Sequence, residues 1–389
     1  MLELNYKGVK SNIMAKSTRH MTNEERRAYR KRRKLIRRIQ VYSELGAISL
    51  AIVIIGGLIV SHIKGTDDTM RVAAEESVSE SASESEDEEA TGLKVTTGAS
   101  TESNQDTTET ESEETSSSSG VYSASETGST ISIGGDVVSE YAILINNDTK
   151  EIVGTRNSYE KIVPASMTKV MTVLVAANNL TEEQLNETVT MSHEAIDYSY
   201  AGGGSTSGFV EDEEVTVKDL FYGTILPSGG DAAAQLAMYV AGDIDSFVTM
   251  MNEEVSALGL TGTHFTNPVG FHSDEHYSTP YDMSIIMMAA LDNELCKEVL
   301  TTKVYNSTAT NVNPEGITIS NWFLRRIEDK DIGGTIEGAK TGYVDESGNC
   351  AVSSMIADDG TEYICCTAKS SSSWRCIYDH VDIYKAYTQ

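Results

Sequence analysis

Three short clusters hold side chains whose types and spacing suit nucleophilic attack on a carbonyl. The first is Ser166-Met167-Thr168-Lys169, a serine three residues ahead of a lysine. A serine hydroxyl is a weak nucleophile until a base takes its proton, and a neutral lysine can be that base. On a helix, residues i and i+3 share a face, so the amine reaches the hydroxyl. Burial, or a second positive charge nearby, must lower the lysine pKa for this to work. The same spacing occurs at Ser61-His62-Ile63-Lys64 and at Ser158-Tyr159-Glu160-Lys161. Surroundings decide among the three: Ser61 closes an apolar run, Ser158 sits in a polar turn, and only Ser166 opens an apolar stretch expected to be a buried helix. The Ser166 N–H at a helix start is then free to help hold an oxyanion.

The second cluster, Lys340-Thr341-Gly342, occurs once, in a strand-like segment with the small neighbours Gly338 and Ala339. An extended peptide can add to such an edge, with Lys340 holding a terminal carboxylate and Thr341 beside it. Alone, it also reads as a solvated lysine on an ordinary edge strand. The third, Leu226-Pro227-Ser228-Gly229-Gly230-Asp231, reads as a turn between two helical stretches that projects a second serine. By itself it is a loop.

These residues need elements to hold them. Tyr141–Asn146 and the segment from Glu151, joined by Asn147-Asp148-Thr149-Lys150, predict a β-hairpin. Helical periodicity covers Ser166–Ala177, Val217–Leu226, Asp231–Ala241, Ile244–Leu258 and Pro280–Asp292. The last is opened by Thr279-Pro280-Tyr281-Asp282, a capping box with Pro at the first helical position. Strands follow at Ile336–Val344, Cys350–Ala357 and Glu362–Ala368, and a helix over Ser373–Ala386 ends the chain. Strands at both ends with helices between them predict an α+β domain whose sheet joins the first hairpin to the last three strands.

Taken in order, Ser166/Lys169, Ser228 and Lys340-Thr341-Gly342 resemble the S-x-x-K, S-x-N and K-T-G set of penicillin-binding proteins and serine β-lactamases. Pro164-Ala165-Ser166, Thr266-Asn267-Pro268-Val269-Gly270, His276-Tyr277-Ser278-Thr279 and Gly338-Ala339-Lys340-Thr341-Gly342-Tyr343 narrow the likeness to low-molecular-weight serine D-alanyl-D-alanine carboxypeptidases, from about Tyr141 onward. The resemblance implies the penicillin-binding-protein fold, an antiparallel sheet with a helical subdomain. It also implies a Ser166 acyl-enzyme, Lys169 as base, Ser228 as proton relay, Lys340 and Thr341 on the substrate carboxylate, and an oxyanion hole from the Ser166 and Tyr343 amides. Stem peptides of peptidoglycan ending in D-Ala-D-Ala are the implied substrate, β-lactams the implied covalent inhibitors, and no cofactor or metal is implied. One position departs: Gly230 stands where the family's S-x-N motif has asparagine, so a side-chain amide that contacts substrate is missing. Ser347-Gly348-Asn349 does not replace it, because it follows Lys340 in an expected turn between strands.

Three other readings compete. His272-Ser273-Asp274-Glu275-His276 fits the H-x-x-E-H pattern of some zinc peptidases, but Pro268, Gly270 and Pro280 around it favour a loop over the helix that zinc binding needs. A β-lactamase would share the acylating groups, yet no glutamate sits in a recognisable deacylation motif. A non-catalytic sensor would keep the groove, and Gly230 favours it; a pure binding site has no need of nucleophile, base and relay together.

Residues 1–40 carry thirteen Lys or Arg, directly before the uncharged GAISLAIVIIGGLIVSHI of 46–63, which has about the length of a bilayer-spanning helix. The positive-inside rule makes 1–40 a cytoplasmic tail, 41–63 a single-pass signal anchor, and everything after it extracellular. Residues 64–135 are rich in Ser, Thr and Glu, with almost no large apolar side chains, and read as a disordered stalk ahead of a catalytic domain over 136–389. That domain has fourteen Lys or Arg against thirty-eight Asp or Glu, which disfavours nucleic acid as a partner. Its five cysteines, Cys296, Cys350, Cys365, Cys366 and Cys376, are odd in number, so at least one is expected free, with a Cys350 bridge to Cys365 or Cys366 open. The N-terminal anchor is expected to serve in place of the C-terminal membrane helix that many relatives carry.

Overall fold

A computed structural model describes residues 122–388 of the chain. The cytoplasmic tail, the candidate span and most of the expected stalk lie outside the described residues. Among the described residues no helix is long and apolar enough to cross a membrane.

The main sheet is built from both ends of the domain. Strands β1 (Ser125–Ser132), β2 (Tyr141–Asn146) and β3 (Glu151–Arg156) come first; β8 (Gly334–Val344), β9 (Gly348–Ala357) and β10 (Glu362–Ser370) come last. Their order is β1-β3-β2-β10-β9-β8, antiparallel except for the parallel β1/β3 pair. Between the two groups run α1 (Lys169–Asn178), α2 (His193–Ala201), α3 (Val217–Ile225), α4 (Gly230–Ala241), α5 (Ile244–Ala257), α6 (Pro280–Asp292), α7 (Glu294–Thr301) and the single turn α8 (Leu324–Ile327). Two small antiparallel two-stranded sheets, β4 (Thr188–Thr190) with β5 (Glu214–Thr216) and β6 (Val304–Asn306) with β7 (Thr318–Ser320), accompany this helical layer. Helix α9 (Ser373–Tyr387) closes the other face of the sheet.

Successive side chains of a strand point to opposite faces, and here both faces are covered, which explains the nearly continuous apolar runs of β2 and β10. Ile143, Ile145, Val352, Ile364 and Cys366 face the large core under α1 and α6. Ala142, Leu144, Met355 and Cys365 face the smaller core under α9. Helix α1 is buried from Lys169 through Ala176, so it is apolar on every side except where it carries the chemistry.

The sheet joins the first hairpin to the last three strands as the pattern predicts, but the folded domain starts earlier than 136. Strand β1 lies within the segment read as stalk, where its polar side chains disguise a strand that is mostly exposed. Ile133 and Val137 follow it into the core. At α6, Thr279 Oγ1 accepts the Asp282 N–H, but Asp282 does not reach back to complete the box. Its carboxylate accepts from Gly262 N and Thr263 Oγ1 instead, tying α6 to the preceding loop.

Candidate active site

Ser166 does not stand in the α-helix itself. It lies in a 3-10 turn, Ala165–Thr168, and α1 begins at Lys169. Ala165 at the turn's head has φ 46°, a left-handed conformation uncommon outside glycine, three residues after the bridge of Ile162 with Ser278. The turn lies flat against β8. A Cβ on Gly342 would sit 2.9 Å from Ser166 N and 2.9 Å from Pro164 O, so glycine is what permits the approach. The Ser166 amide therefore lies beside Gly342, next in sequence to Tyr343, and first-turn N–H groups have no partner within their own helix.

Lys169 Nζ is 2.9 Å from Ser166 Oγ and donates to the Val269 carbonyl at 2.8 Å. The side chain is fully buried. Desolvation first, then the positive charge of Lys340, holds its pKa well below the ordinary lysine value, with Asp231 opposing. An amine whose pKa is lowered in this way and that lies in contact with a serine hydroxyl is placed where a general base would act.

Across the cleft, Ser228 lies in the turn before α4 with φ 61° and accepts a hydrogen bond from Lys340 Nζ at 2.9 Å. Lys340 also donates to Thr341 O at 2.7 Å, and burial lowers its pKa to about 7. Strand β8 is the edge of the sheet. The cleft beside it, about 430 Å³, is lined by Ser166, Ser228, Thr341, Gly342 and Tyr343. A neighbouring cavity of about 510 Å³ shares Ser205, Ser228, Trp322 and Thr341 with it and adds Arg325 and Arg326. Arg326 stacks on Trp322, its Cζ 3.8 Å from the ring centre, and Arg325 donates to Ser320 Oγ. Neither arginine pairs with a carboxylate among the described residues, so in a strongly acidic domain this corner is positive.

The structure thus brings Ser166, Lys169, Ser228, Lys340, Thr341, Gly342 and Tyr343 together. The Tyr343 side chain is exposed and donates to Asp345. Gly230 is the first residue of α4, and a Cβ there would lie 2.5 Å from Ser199 Oγ and 3.0 Å from Val269 Cγ1. Ser199, from α2, fills the room a side chain at 230 would take. Asn349, dismissed on sequence order and expected in a turn, is instead the second residue of β9, paired with Tyr343, and does line the cleft. His272 and His276 lie in a loop and part company: His272 is half-exposed near Asp274, whereas His276 is buried with its ring between Thr168 and Thr266. Sequence reasoning missed Ser205, Trp322 and the Val269 carbonyl, which carry no signal in sequence. It also missed Arg325-Arg326, whose signal was an adjacent basic pair in an acidic domain.

A serine activated by a buried lysine, facing a second lysine across a cleft at a sheet edge, is the working arrangement of serine acyl-transfer enzymes that use lysine in place of histidine as base. A family model described as D-alanyl-D-alanine carboxypeptidase matches residues 125–367, and the chain belongs to that family. It is 33% identical over 213 residues to D-alanyl-D-alanine carboxypeptidase DacF of Bacillus subtilis, covering 55% of this chain and 53% of that one. It is 32% identical over 237 residues to the D-alanyl-D-alanine carboxypeptidase of Streptomyces sp. strain K15, covering 59% of this chain and 79% of that one. The crystal structure of the Streptomyces K15 DD-transpeptidase superposes with a TM-score of 0.58 at 28% identity, over 65% of this chain and 99% of that one. With DacF the match spans about half the relative's length.

Proposed function

We propose that the protein is a serine D-Ala-D-Ala carboxypeptidase that removes the terminal D-alanine from peptidoglycan stem pentapeptides and is acylated by β-lactams. The observation that carries this is the pair of lysine–serine contacts in one cleft: Lys169 on Ser166, and Lys340 on Ser228. The stem peptide lies along the β8 edge with its terminal carboxylate toward Lys340, Thr341 and the positive corner at Arg325 and Arg326. Lys169 takes the Ser166 proton as Oγ bonds to the carbonyl carbon of the penultimate D-alanine. The Ser166 and Tyr343 N–H groups hold the oxyanion. Collapse breaks the C–N bond, and the departing amine receives the proton that Lys169 took from Ser166, relayed through Ser228, which Lys340 keeps oriented. Water then adds to the acyl carbon, giving a proton to Lys169; the bond from that carbon to Ser166 Oγ breaks, Lys169 returns the proton to Oγ, and the shortened peptide leaves. A β-lactam enters the same path and stops at the acyl-enzyme.

The test is one preparation with two readouts: labelling by a fluorescent penicillin, and D-alanine release from a pentapeptide ending in D-Ala-D-Ala. Label on Ser166 together with release is expected, and Ser166→Ala should abolish both while the far-UV spectrum is unchanged. Label without release would make the protein a sensor. Activity surviving Ser166→Ala would remove the central claim.

The catalytic domain is further proposed to stand outside the cell on a single N-terminal span with a cytoplasmic tail. The basic block before the uncharged run at 46–63 supports this. The full chain should sediment with membranes and need detergent for release, and protease added to intact cells should free the penicillin-labelled domain. Release by high salt alone would replace the span with a peripheral attachment.

A further inference from the structure

Asn267 and His276 take no part in the chemistry of the cleft, yet both are buried directly behind the Ser166–Lys169 turn. Asn267 Oδ1 accepts three backbone N–H groups, from Val269 at 3.1 Å, Gly270 at 2.7 Å and Phe271 at 2.9 Å, while its Nδ2 donates to Phe271 O at 2.9 Å. One amide thereby curls the whole loop 268–271. The curl requires φ 94° at Gly270, where a Cβ would lie 1.9 Å from Ala165 O, and it turns two successive carbonyls onto α1. Pro268 O accepts from Thr172 Oγ1 at 2.7 Å, and Val269 O accepts from Lys169 Nζ at 2.8 Å.

His276 fastens the same loop from the other side. Its Nδ1 accepts the Thr266 N–H at 3.0 Å, which leaves Nε2 as the protonated nitrogen, donating to Thr168 Oγ1 at 2.9 Å. Burial, helped by His264 and His272, pushes its pKa down to about 3, so it stays neutral whenever the protein works.

The Val269 contact matters because of what a neutral amine offers. Lys169 then has two N–H bonds and one lone pair. With one N–H held by Val269 O, rotation about the Cε–Nζ bond is restricted and the nitrogen is held 2.9 Å from Ser166 Oγ, within reach of its proton. After proton transfer the same carbonyl still accepts from the ammonium. The charged groups that act on Lys169 are Lys340 and Asp231; the loop supplies an uncharged dipole.

We propose that Asn267 and His276 are positioning residues for proton transfer from Ser166 to Lys169: Asn267 shapes the loop that aims the Val269 carbonyl at the amine, and His276 ties that loop to Thr168. The inference rests on the reading of Ser166 and Lys169 as nucleophile and base.

The test is the time course of acylation by a fluorescent penicillin at several concentrations, on the full chain and on Asn267→Ala and Thr168→Val. This separates the acylation rate constant from the concentration giving half-maximal rate. In Asn267→Ala the rate constant should fall about 10- to 100-fold, the loss expected of a misplaced reacting group, with half-saturation within about threefold, since the Lys340 side is untouched. Thr168→Val, which keeps the volume and loses only the His276 bond, should fall about threefold or more by the same reasoning and decides the matter if Asn267→Ala does not fold. Rate constants within about twofold of wild type in the folded variants, or rate and half-saturation worsening together, would reduce both residues to scaffolding. A wild-type chain that takes no label would instead sink the reading of Ser166 itself.

Discussion

Lys169 and Lys340 share one cleft, and the proposed reaction needs them in opposite protonation states. Lys169 has to be neutral to accept a proton, so acylation rises with pH through its lowered pKa. Lys340 has to be cationic to attract a carboxylate, and in the free protein it loses its proton around pH 7. The pH profile of kcat/KM, which reports the free enzyme, should therefore be bell-shaped, its alkaline limb set by Lys340. Lys340→Arg keeps the charge at all working pH and should move that limb upward by a unit or more, at a lower plateau because the guanidinium cannot match the Ser228 contact. A limb that stays in place would assign it to another group. Burying Lys340 also destabilises the fold. Its folded pKa lies below the unfolded 10.5, so the unfolded chain binds more protons between about pH 7 and 10.5, and stability rises with pH through that window. Lys340→Met should unfold at a higher temperature than wild type at pH 6, by on the order of a few kcal/mol, with the difference shrinking toward pH 10 in melting curves.

Among the elements, the contact of α4 with α2 decides what position 230 can hold. Gly230 N and Ser199 Oγ both donate to Ser205 O, at 2.8 and 3.0 Å, and so fix the wall of the cleft that Ser205 lines. An asparagine at 230 has no room beside Ser199, and it would press on Val269, whose carbonyl holds Lys169. Gly230→Asn should cost about 1–3 kcal/mol, as overpacking does, and the loss should shrink by roughly half in a Ser199→Ala background. A double-mutant cycle by urea unfolding checks this, and strictly additive effects would mean that the two residues do not compete for the space. The departure at 230 is thus one side of a pair and not a deletion.

On the scale of the whole domain, a sheet covered on both faces buries Cys350, Cys365 and Cys366, and the helices packed on it bury Cys296 and Cys376. Cys296, Cys350, Cys365, Cys366 and Cys376 are all free, so the bridge left open at Cys350 is absent. Adjacent Cys365 and Cys366 point to opposite faces of β10, one toward α9 and the other toward α6, as the strand's two-residue alternation requires. Burial raises the Cys350 thiol to about 12. A thiol reagent should accordingly label the native protein slowly and the unfolded protein at five sites, and a reductant should leave the melting temperature unchanged. A fall in melting temperature on reduction would reveal a disulfide.

Much of this organisation was legible in the residues. Ser166 and Lys169 stood out because proton transfer constrains residue types and spacing, Ser228 and Lys340 only through the family resemblance of the ordered set, and α3 to α6 and β8 to β10 because burial imposes a period. Strand β1 escaped notice because its polar, mostly exposed residues carry no apolar alternation. The capping box at Thr279 was only half right, since Asp282 found better partners in a loop some twenty residues upstream. What the sequence could not determine is everything that depends on atoms brought together from distant segments. The Val269 carbonyl on Lys169, Ser199 in the space at Gly230, the Arg325–Arg326 corner beside Thr341 and the place of Asn349 in the cleft all belong here. A backbone carbonyl has no residue-type signature, and empty or filled space at a glycine is a property of its neighbours. The chemistry of this protein is written in its side chains; the aim and the room that chemistry needs come only from the packing.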